Sequence, residues 1–458
     1  MNAERTALFS NAPVRKAVLT LAIPTVISQL ITVVYNMADT FFIGKLNDPL
    51  QVAAATVVMP CFMLLTGFAN LFGLGGSSLI SRCLGTDDQE KARHCASFCI
   101  WTGAAVALLY GIAVILLEPV LFPLLGASEG TWESCRQYAF WTIGVGAVPT
   151  VMNAELAHLI RAEGYSRPAG FGVAFGGVLN IILDPIFIFA LRLNIAGAAI
   201  ATMLSNLIAM GYFLGFLYHI RKNTVITPDP KAFSIRQHIP GEVLSVGLPG
   251  FVMAMMSTIS NMVLNHTVAG YSDTAIAGMG IAKKIGLLAY AIAQGMTQGT
   301  LPLIGYNYTS GSLKRMKAAI KTAFAYSFLV ACAGTVLLWT LAAPISRCFI
   351  ADAETVRYGQ HFLKIICLAC PTTAINFMVI TVFQAIGKRV QPLCLSLLRK
   401  GSLDVVFMLL LNHAVGVSGI AWATPFADWI AFGIFAALIV PYLKQLRPTA
   451  AHSADPEA

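Results

Sequence analysis

The amino-acid sequence predicts an all-α polytopic membrane protein with twelve transmembrane helices in two pseudo-symmetric six-helix lobes. Three observations carry this. The 458 residues are 57% hydrophobic and only 11% charged, where a soluble domain holds about 25% charged residues, and the mean hydropathy is +0.73. Apolar runs of roughly 20 residues, each long enough to cross about 30 Å of hydrocarbon, recur from end to end. The second half of the chain repeats the first. This excess of apolar surface excludes a soluble enzyme.

In chain order, the polar N-terminus with Arg5, Arg15 and Lys16 leads into a span too long for the apolar region of a cleavable signal. Spans are expected at 17–39, 52–79, 95–117, 138–160, 168–190 and 195–218, then at 243–266, 276–306, 322–345, 360–386, 392–414 and 417–442. The longest polar stretch, His219 to His238, separates the sixth from the seventh. The expected organisation is an N-terminal lobe 1–218, a cytoplasmic linker 219–242, a C-terminal lobe 243–446 and a cytoplasmic tail 447–458.

The net charge of +9 does not signal nucleic acid, because the basic residues form no single patch. They fall in short clusters in alternate loops, about twenty on one side of the membrane against roughly five on the other, the pattern that sets orientation. Both termini are therefore expected in the cytoplasm, with the chain in the cytoplasmic (inner) membrane. Cys367 and Cys370 have the spacing of a redox or metal pair, but lie on an apolar span just before Pro371 and read as packing residues.

The repeat is visible at several points. Pro24 and Pro249 each precede an Asn by twelve residues (Asn36, Asn261); Pro149-Thr150 matches Pro371-Thr372; Pro168 matches Pro392; Gly197-Ala-Ala-Ile-Ala-Thr202 matches Gly419-Ile-Ala-Trp-Ala-Thr424. An even number of spans per half inserts both halves the same way up, related by an axis along the membrane normal with a cavity between them, which is transporter architecture.

A charge at mid-bilayer costs about 3 kcal/mol, so each acid within a span needs a reason. Asp39 ends the run Tyr35-Asn36-Met-Ala-Asp39, whose polar members share one helix face. In the fifth span Gly172, Gly176, Asn180 and Asp184 form a stripe at spacing four. Small residues admit a neighbouring helix closely, and Pro185 releases a backbone carbonyl near Ile181. Two carboxylates with amide and hydroxyl oxygens suit a hard cation or a shared proton. The structural alternatives are that Asn36 or nearby backbone satisfies Asp39, that Asp184 caps a broken helix, and that Glu155 reaches the interface.

The second half lacks both acids: Leu264 matches Asp39 and Met408 matches Asp184. The eleventh span instead carries Ser396, Lys400 and Asp404 at spacing four, with Asp404 aligned to Asn180, and Lys400 and Asp404 can neutralise each other. Asn261, Lys283, Gln294 and Gln298 are candidate cavity-lining residues, although Lys283 and Lys284 have no acid within sequence reach.

Over nearly its whole length the chain resembles the multidrug and toxic compound extrusion (MATE) family. The stretches that carry this are Pro24 through Gly44, Gly75 through Gly85, Arg161-Ala-Glu-Gly164, Asn180-Ile-Ile-Leu-Asp-Pro185, Gly197 through Thr202, and Gly295-x-x-x-Gly299-x-x-Pro302 through Asn307. The resemblance is closest to the DinF-like branch. It implies a secondary active antiporter exporting small-molecule organic cations in exchange for H+ or Na+ by alternating access. It also implies a coupling site at Asp39, Asn180, Asp184 and Thr202, with Na+ as the candidate metal, Tyr138 and Asn153 in its hydrogen-bond network, and a helix bend at Pro24. Tyr35 and Asn36 join that network on the residue reading. Beyond the coupling ion no cofactor is expected, and the partners are membrane lipid and the transported cation, with the monomer as functional unit. A branch that keeps acids in the seventh and tenth spans is not matched, since only Ser257, Ser260, Asn261, Thr372, Thr373 and Asn376 stand there. The competing reading is a flippase for a lipid-linked saccharide, which calls on Lys283, Lys284, Arg399 and Lys400 for a basic cavity.

Overall fold

The computed structural model describes residues 3–46, 48–268, 270–349 and 352–446, so the expected tail 447–458 lies outside the described residues. All regular structure among them is helical. Twelve spans are α1 (Val14–Gly44), α2 (Pro49–Gly85), α3 (Gln89–Leu116), α4 (Trp132–Ala139, a π turn Phe140–Val145, and Ala147–Ala162), α5 (Ser166–Pro185, with a π turn Ile186–Ala190) and α6 (Asn194–His219). There follow α7 (Ile239–Val268), α8 (Asp273–Thr309), α9 (Leu313–Thr340) and α10 (Ala353–Ile366, a tight turn Cys367–Ala369, and Cys370–Ala385). The last two are α11 (Val390–Ser396, a π turn Leu397–Leu403, and Asp404–Val415) and α12 (Val417–Gln445).

Ten described helices are long and apolar enough to cross a membrane, and α4 makes eleven when its two segments, bent by 48°, are taken as one span. The twelfth, α11, is the one whose span carries Arg399, Lys400 and Asp404. Its membrane depth is tolerable because both cations are paired inside the protein, Arg399 with Asp428 and Lys400 with Asp404.

Two compact units emerge. The first comprises Ile27–Ile80 and Glu90–Thr258; the second comprises Met1–Val26, Ser81–Gln89 and Ile259–Ala458. The leading part of α1 thus packs with the later spans, and the leading part of α7 with the earlier ones. Glycines make both exchanges possible. Within the second unit, a Cβ on Gly299 of α8 would stand 2.6 Å from Ala22 Cα and 2.7 Å from Leu21 O, and one on Gly295 would stand 2.5 Å from Val26 Cα. Within the first unit, a Cβ on Gly247 of α7 would meet Leu71 O of α2 at 1.8 Å, and one on Gly75 would meet Val243 O at 2.1 Å. These are backbone-on-backbone approaches that no larger residue permits. Gly299→Val is therefore expected to prise α8 from α1 and cost about 1–3 kcal/mol, measured as a lowered unfolding temperature of detergent-solubilised protein, whereas Gly433→Ala, in the interior of α12 with open space around it, does not lower that temperature.

The polar N-terminal segment forms a short helix, Ala3–Ser10. Its last turn is pinned to the second unit: Asn307 and Arg315 donate to Phe9 O at 3.2 and 2.6 Å, and the buried Phe9 ring stacks on Tyr306. The linker between α6 and α7 is likewise strapped down in the first unit. Trp101 Nε1 donates to Pro228 O at 3.0 Å and Ser97 Oγ to Asp229 O at 2.9 Å, while the buried carboxylate of Glu163 accepts from Thr224 Oγ1 and Val225 N, both at 2.6 Å.

Candidate functional site

The stripe on α5 faces α6, as its small residues predict. A Cβ on Gly172 would meet the Phe213 ring at 2.4 Å and one on Gly176 would meet Ala209 Cβ at 3.0 Å, so the helices touch where the stripe is bare. One and two turns further on, the same face presents Asn180 and Asp184, 1% and 0% exposed. Asn180 Nδ2 lies 3.3 Å from Asp184 Oδ1 and 3.3 Å from Thr202 Oγ1 of α6. Gly177, one position off the stripe, receives α1: its added Cβ would sit 2.9 Å from the Tyr35 ring. That contact delivers Asp39, one turn along α1, to within Coulomb range of Asp184, with Tyr35 and the buried Tyr138 of α4 in range of both acids.

A polar chain continues from this cluster. Asn206, four residues after Thr202, donates to Thr202 O at 3.0 Å and to Thr150 Oγ1 at 3.3 Å, and accepts from Asn153 Nδ2 at 2.8 Å. Sequence reasoning missed Asn206 and Thr150, although the four-residue step from Thr202 places Asn206 on the same helix face. Asn36 does not satisfy Asp39; it donates instead to Thr32 O at 2.8 Å and is exposed. The interface reading of Glu155 is corrected: its side chain is 0% exposed, because α3 offers Gly103 opposite it, where a Cβ would be 2.0 Å from Oε2. Pro24 lies within an unbroken α1.

The acceptor inventory of the first unit is lopsided. Asp39 Oδ1, Asp184 Oδ2, Asn180 Oδ1 and Asn153 Oδ1 are all buried without a hydrogen-bond partner among the described residues. A buried acceptor left unmade costs about 1–3 kcal/mol, and a cluster of them, all oxygen, has the donor set of a hard cation or of protons. The residues present fit Na+ or H+.

The second unit builds a different centre from matching positions. Leu264 and Met408, which replace the two acids, are buried in one apolar cluster with Met279, Phe362 and Ile420. Asp404, at the position of Asn180, accepts from Ser260 Oγ at 2.6 Å, Lys400 Nζ at 3.1 Å and Thr424 Oγ1 at 3.1 Å. Thr424 matches Thr202, so the Asn180–Thr202 contact is repeated as Asp404–Thr424. Asp428, at the position of Asn206, is bound by Arg399, Thr373 and Asn376. Asp428 was also missed, though an acid inside the twelfth span deserved the scrutiny given to Asp39. Lys283, half-buried on α8, lies within Coulomb range of Asp404, which supplies the acid its own helix lacked, while Lys284 is exposed. Gln298 is buried, Gln294 half-buried and Asn261 exposed.

Twelve spans in a duplicated arrangement, with buried acids and amides grouped at depth, define a polytopic membrane transporter rather than an enzyme. The chain belongs to the MatE family, whose sequence model matches residues 24–186 and 249–410, one block in each repeat. It is 30% identical to the multidrug export protein MepA of Staphylococcus saprophyticus subsp. saprophyticus over 98% of both chains, and 28% identical to MepA of Staphylococcus aureus over the same shares. Among solved structures it resembles a multidrug resistance MATE transporter in an outward-facing conformation (24% identity, 97% of this chain and 100% of that one, TM-score 0.88). It also resembles a MATE protein in a bent conformation (25% identity, 97% and 99%, TM-score 0.84).

Proposed function

We propose that this protein is a secondary active multidrug exporter of the DinF-like branch, exchanging organic cations for H+ or Na+ at a first-lobe site of Asp39, Asn180, Asp184 and Thr202. The observation that carries this reading is the group of unsatisfied buried oxygens around two acids in the first unit. A transporter needs a site that is incomplete without its ion, because only an interaction that differs between loaded and empty states can shift a conformational equilibrium. The names of the staphylococcal relatives support multidrug export as the activity. Asn180 holds one oxygen of Asp184, Tyr35 and Tyr138 stand beside both acids, and Asn206 and Asn153 extend the polar chain towards α4. In this reading the exporter works as a monomer in the cytoplasmic membrane, with both termini in the cytoplasm, as the basic loops favour.

The flippase alternative loses ground, since Arg399 and Lys400 are engaged by Asp428 and Asp404, leaving Lys283 and Lys284 of the four cations it called upon. The deciding experiment is efflux of a fluorescent cationic dye from proteoliposomes with a sodium gradient or a proton gradient imposed separately. Dye movement driven by one gradient is expected and identifies the coupling ion. Dye that stays put under both, with protein correctly inserted, sinks the antiporter.

A further inference from the structure

The two units place different chemistry on one framework. Aligned through Pro168 and Pro392, Lys400 stands where the first repeat has Gly176 and Asp404 where it has Asn180; aligned through Gly197 and Gly419, Thr424 stands where it has Thr202. In the first unit these positions leave oxygens unsatisfied. In the second, both oxygens of Asp404 are engaged, one by Thr424 at 3.1 Å and the other by Ser260 at 2.6 Å and Lys400 at 3.1 Å. Asp404 is 1% exposed and the Lys400 side chain 15% exposed. The π turn Leu397–Leu403 carries Arg399 and Lys400 one after the other, and sends the first to Asp428 and the second to Asp404.

We propose that the second lobe holds a latent monovalent-cation site at Asp404, Ser260 and Thr424, occupied permanently by the ammonium of Lys400 in place of a mobile ion. The inference rests on reading the matching Asn180–Thr202 pair as part of a coupling site. Three oxygen-bearing side chains from α7, α11 and α12 converge there, and the charge they compensate is tethered by the lysine's own stem. A tethered nitrogen cannot leave the site, so this lobe has no place for a sodium ion to enter and depart, and sodium exchange belongs to the first lobe. The carboxylate has moved one turn from the position of Asp184 to that of Asn180, and the vacated depth is sealed by Leu264 and Met408.

The charged groups within Coulomb range of Asp404 are Lys400 and Arg399 on α11 and Lys283 on α8, and Asp428 on α12 and Tyr290 on α8 stand next out, beside Arg399. Lys283 makes no hydrogen bond or ion pair among the described residues, yet lies within Coulomb range of Asp404, so a test must remove both ammonium groups. The probe is radioactive sodium bound by full-length reconstituted protein, with proton uptake followed in parallel by a pH indicator. Lys283→Met/Lys400→Gln is expected to take up one further equivalent of cation per chain, as sodium in alkaline buffer or as a proton in acid. Asp404→Asn added to that background removes the gain, and Lys400→Arg binds as wild type does. A folded double variant that binds no more cation than wild type overturns the proposal. Should that variant fail to fold, Asp404→Asn alone is decisive, since it installs the residue the first repeat carries there. An equivalent of radioactive sodium lost from wild type by that change shows a mobile ion already bound at Asp404 and overturns the idea, whereas unchanged sodium binding supports it. Asp39→Asn and Asp184→Asn report on the first-lobe site separately, so failure of one reading is not mistaken for failure of the other.

Discussion

Asp39→Asn and Asp184→Asn are each expected to abolish gradient-driven export while leaving membrane insertion intact. The magnitude follows from the driving force. A tenfold ion gradient stores about 1.4 kcal/mol, and each net charge entering at 100 mV adds about 2.3 kcal/mol. One coupled ion therefore sustains roughly a tenfold dye gradient, and a hundredfold or more when net charge moves with it. Asn keeps the size and polarity of the side chain but cannot gain and lose a charge, so the coupled gradient collapses to passive equilibration. The acid pair is shared between α1 and α5, with Gly177 setting the approach of Tyr35, so loss of either acid is expected to have the same effect. Dye efflux under the driving gradient, normalised to inserted protein, checks this. Wild-type export by both variants excludes the first-lobe site.

The second large effect concerns stability. Arg399 and Asp428 are each 2% exposed at the side chain, and the guanidinium also lies 4.7 Å from the Phe377 ring centroid. Arg399→Met strands a buried carboxylate, which in folded proteins costs about 3–5 kcal/mol, and a marked drop in unfolding temperature is expected. Replacing both members, as Arg399→Met/Asp428→Asn, is expected to recover most of that loss, because the penalty comes from the uncompensated charge and not from absence of the pair. Asn is also what the first repeat carries at that place, Asn206, where it bonds Thr150 and Asn153. A double variant as unstable as the single one shows that Arg399 acts through its packing against Phe377 instead.

Sequence reasoning reached the helices and the Asn180–Asp184 face of α5 because both are written locally, whereas Thr202, Tyr138 and Asn153 came only with the family resemblance. Apolar runs of membrane length specify spans without reference to partners, and the stripe Gly172, Gly176, Asn180, Asp184 declares its own buried face through spacing four. The Lys400–Asp404 pair was legible for the same reason, both residues lying on one helix one turn apart. The Arg399–Asp428 pair was not, since its members lie on α11 and α12, and no local period links them. The place of Glu155 was open in the sequence because its burial depends on Gly103 of a different helix. The exchange of the leading parts of α1 and α7 between compact units was equally invisible, although the glycines that allow it, Gly295, Gly299, Gly75 and Gly247, were all in view.

The sequence by itself thus determined that this is a duplicated membrane transporter with its acid pair confined to the first repeat, because hydropathy, helical period and internal repetition are properties of the chain taken in order. Only the tertiary structure decided which buried charges meet, which oxygens are left unsatisfied, and that Asp404 of the second repeat is bonded by Lys400 where the matching Asn180 keeps an oxygen without a partner. Those outcomes depend on distances between helices far apart in sequence, and where a buried charge costs several kcal/mol unpaired, such distances determine which residues act as ligands and which simply neutralise each other.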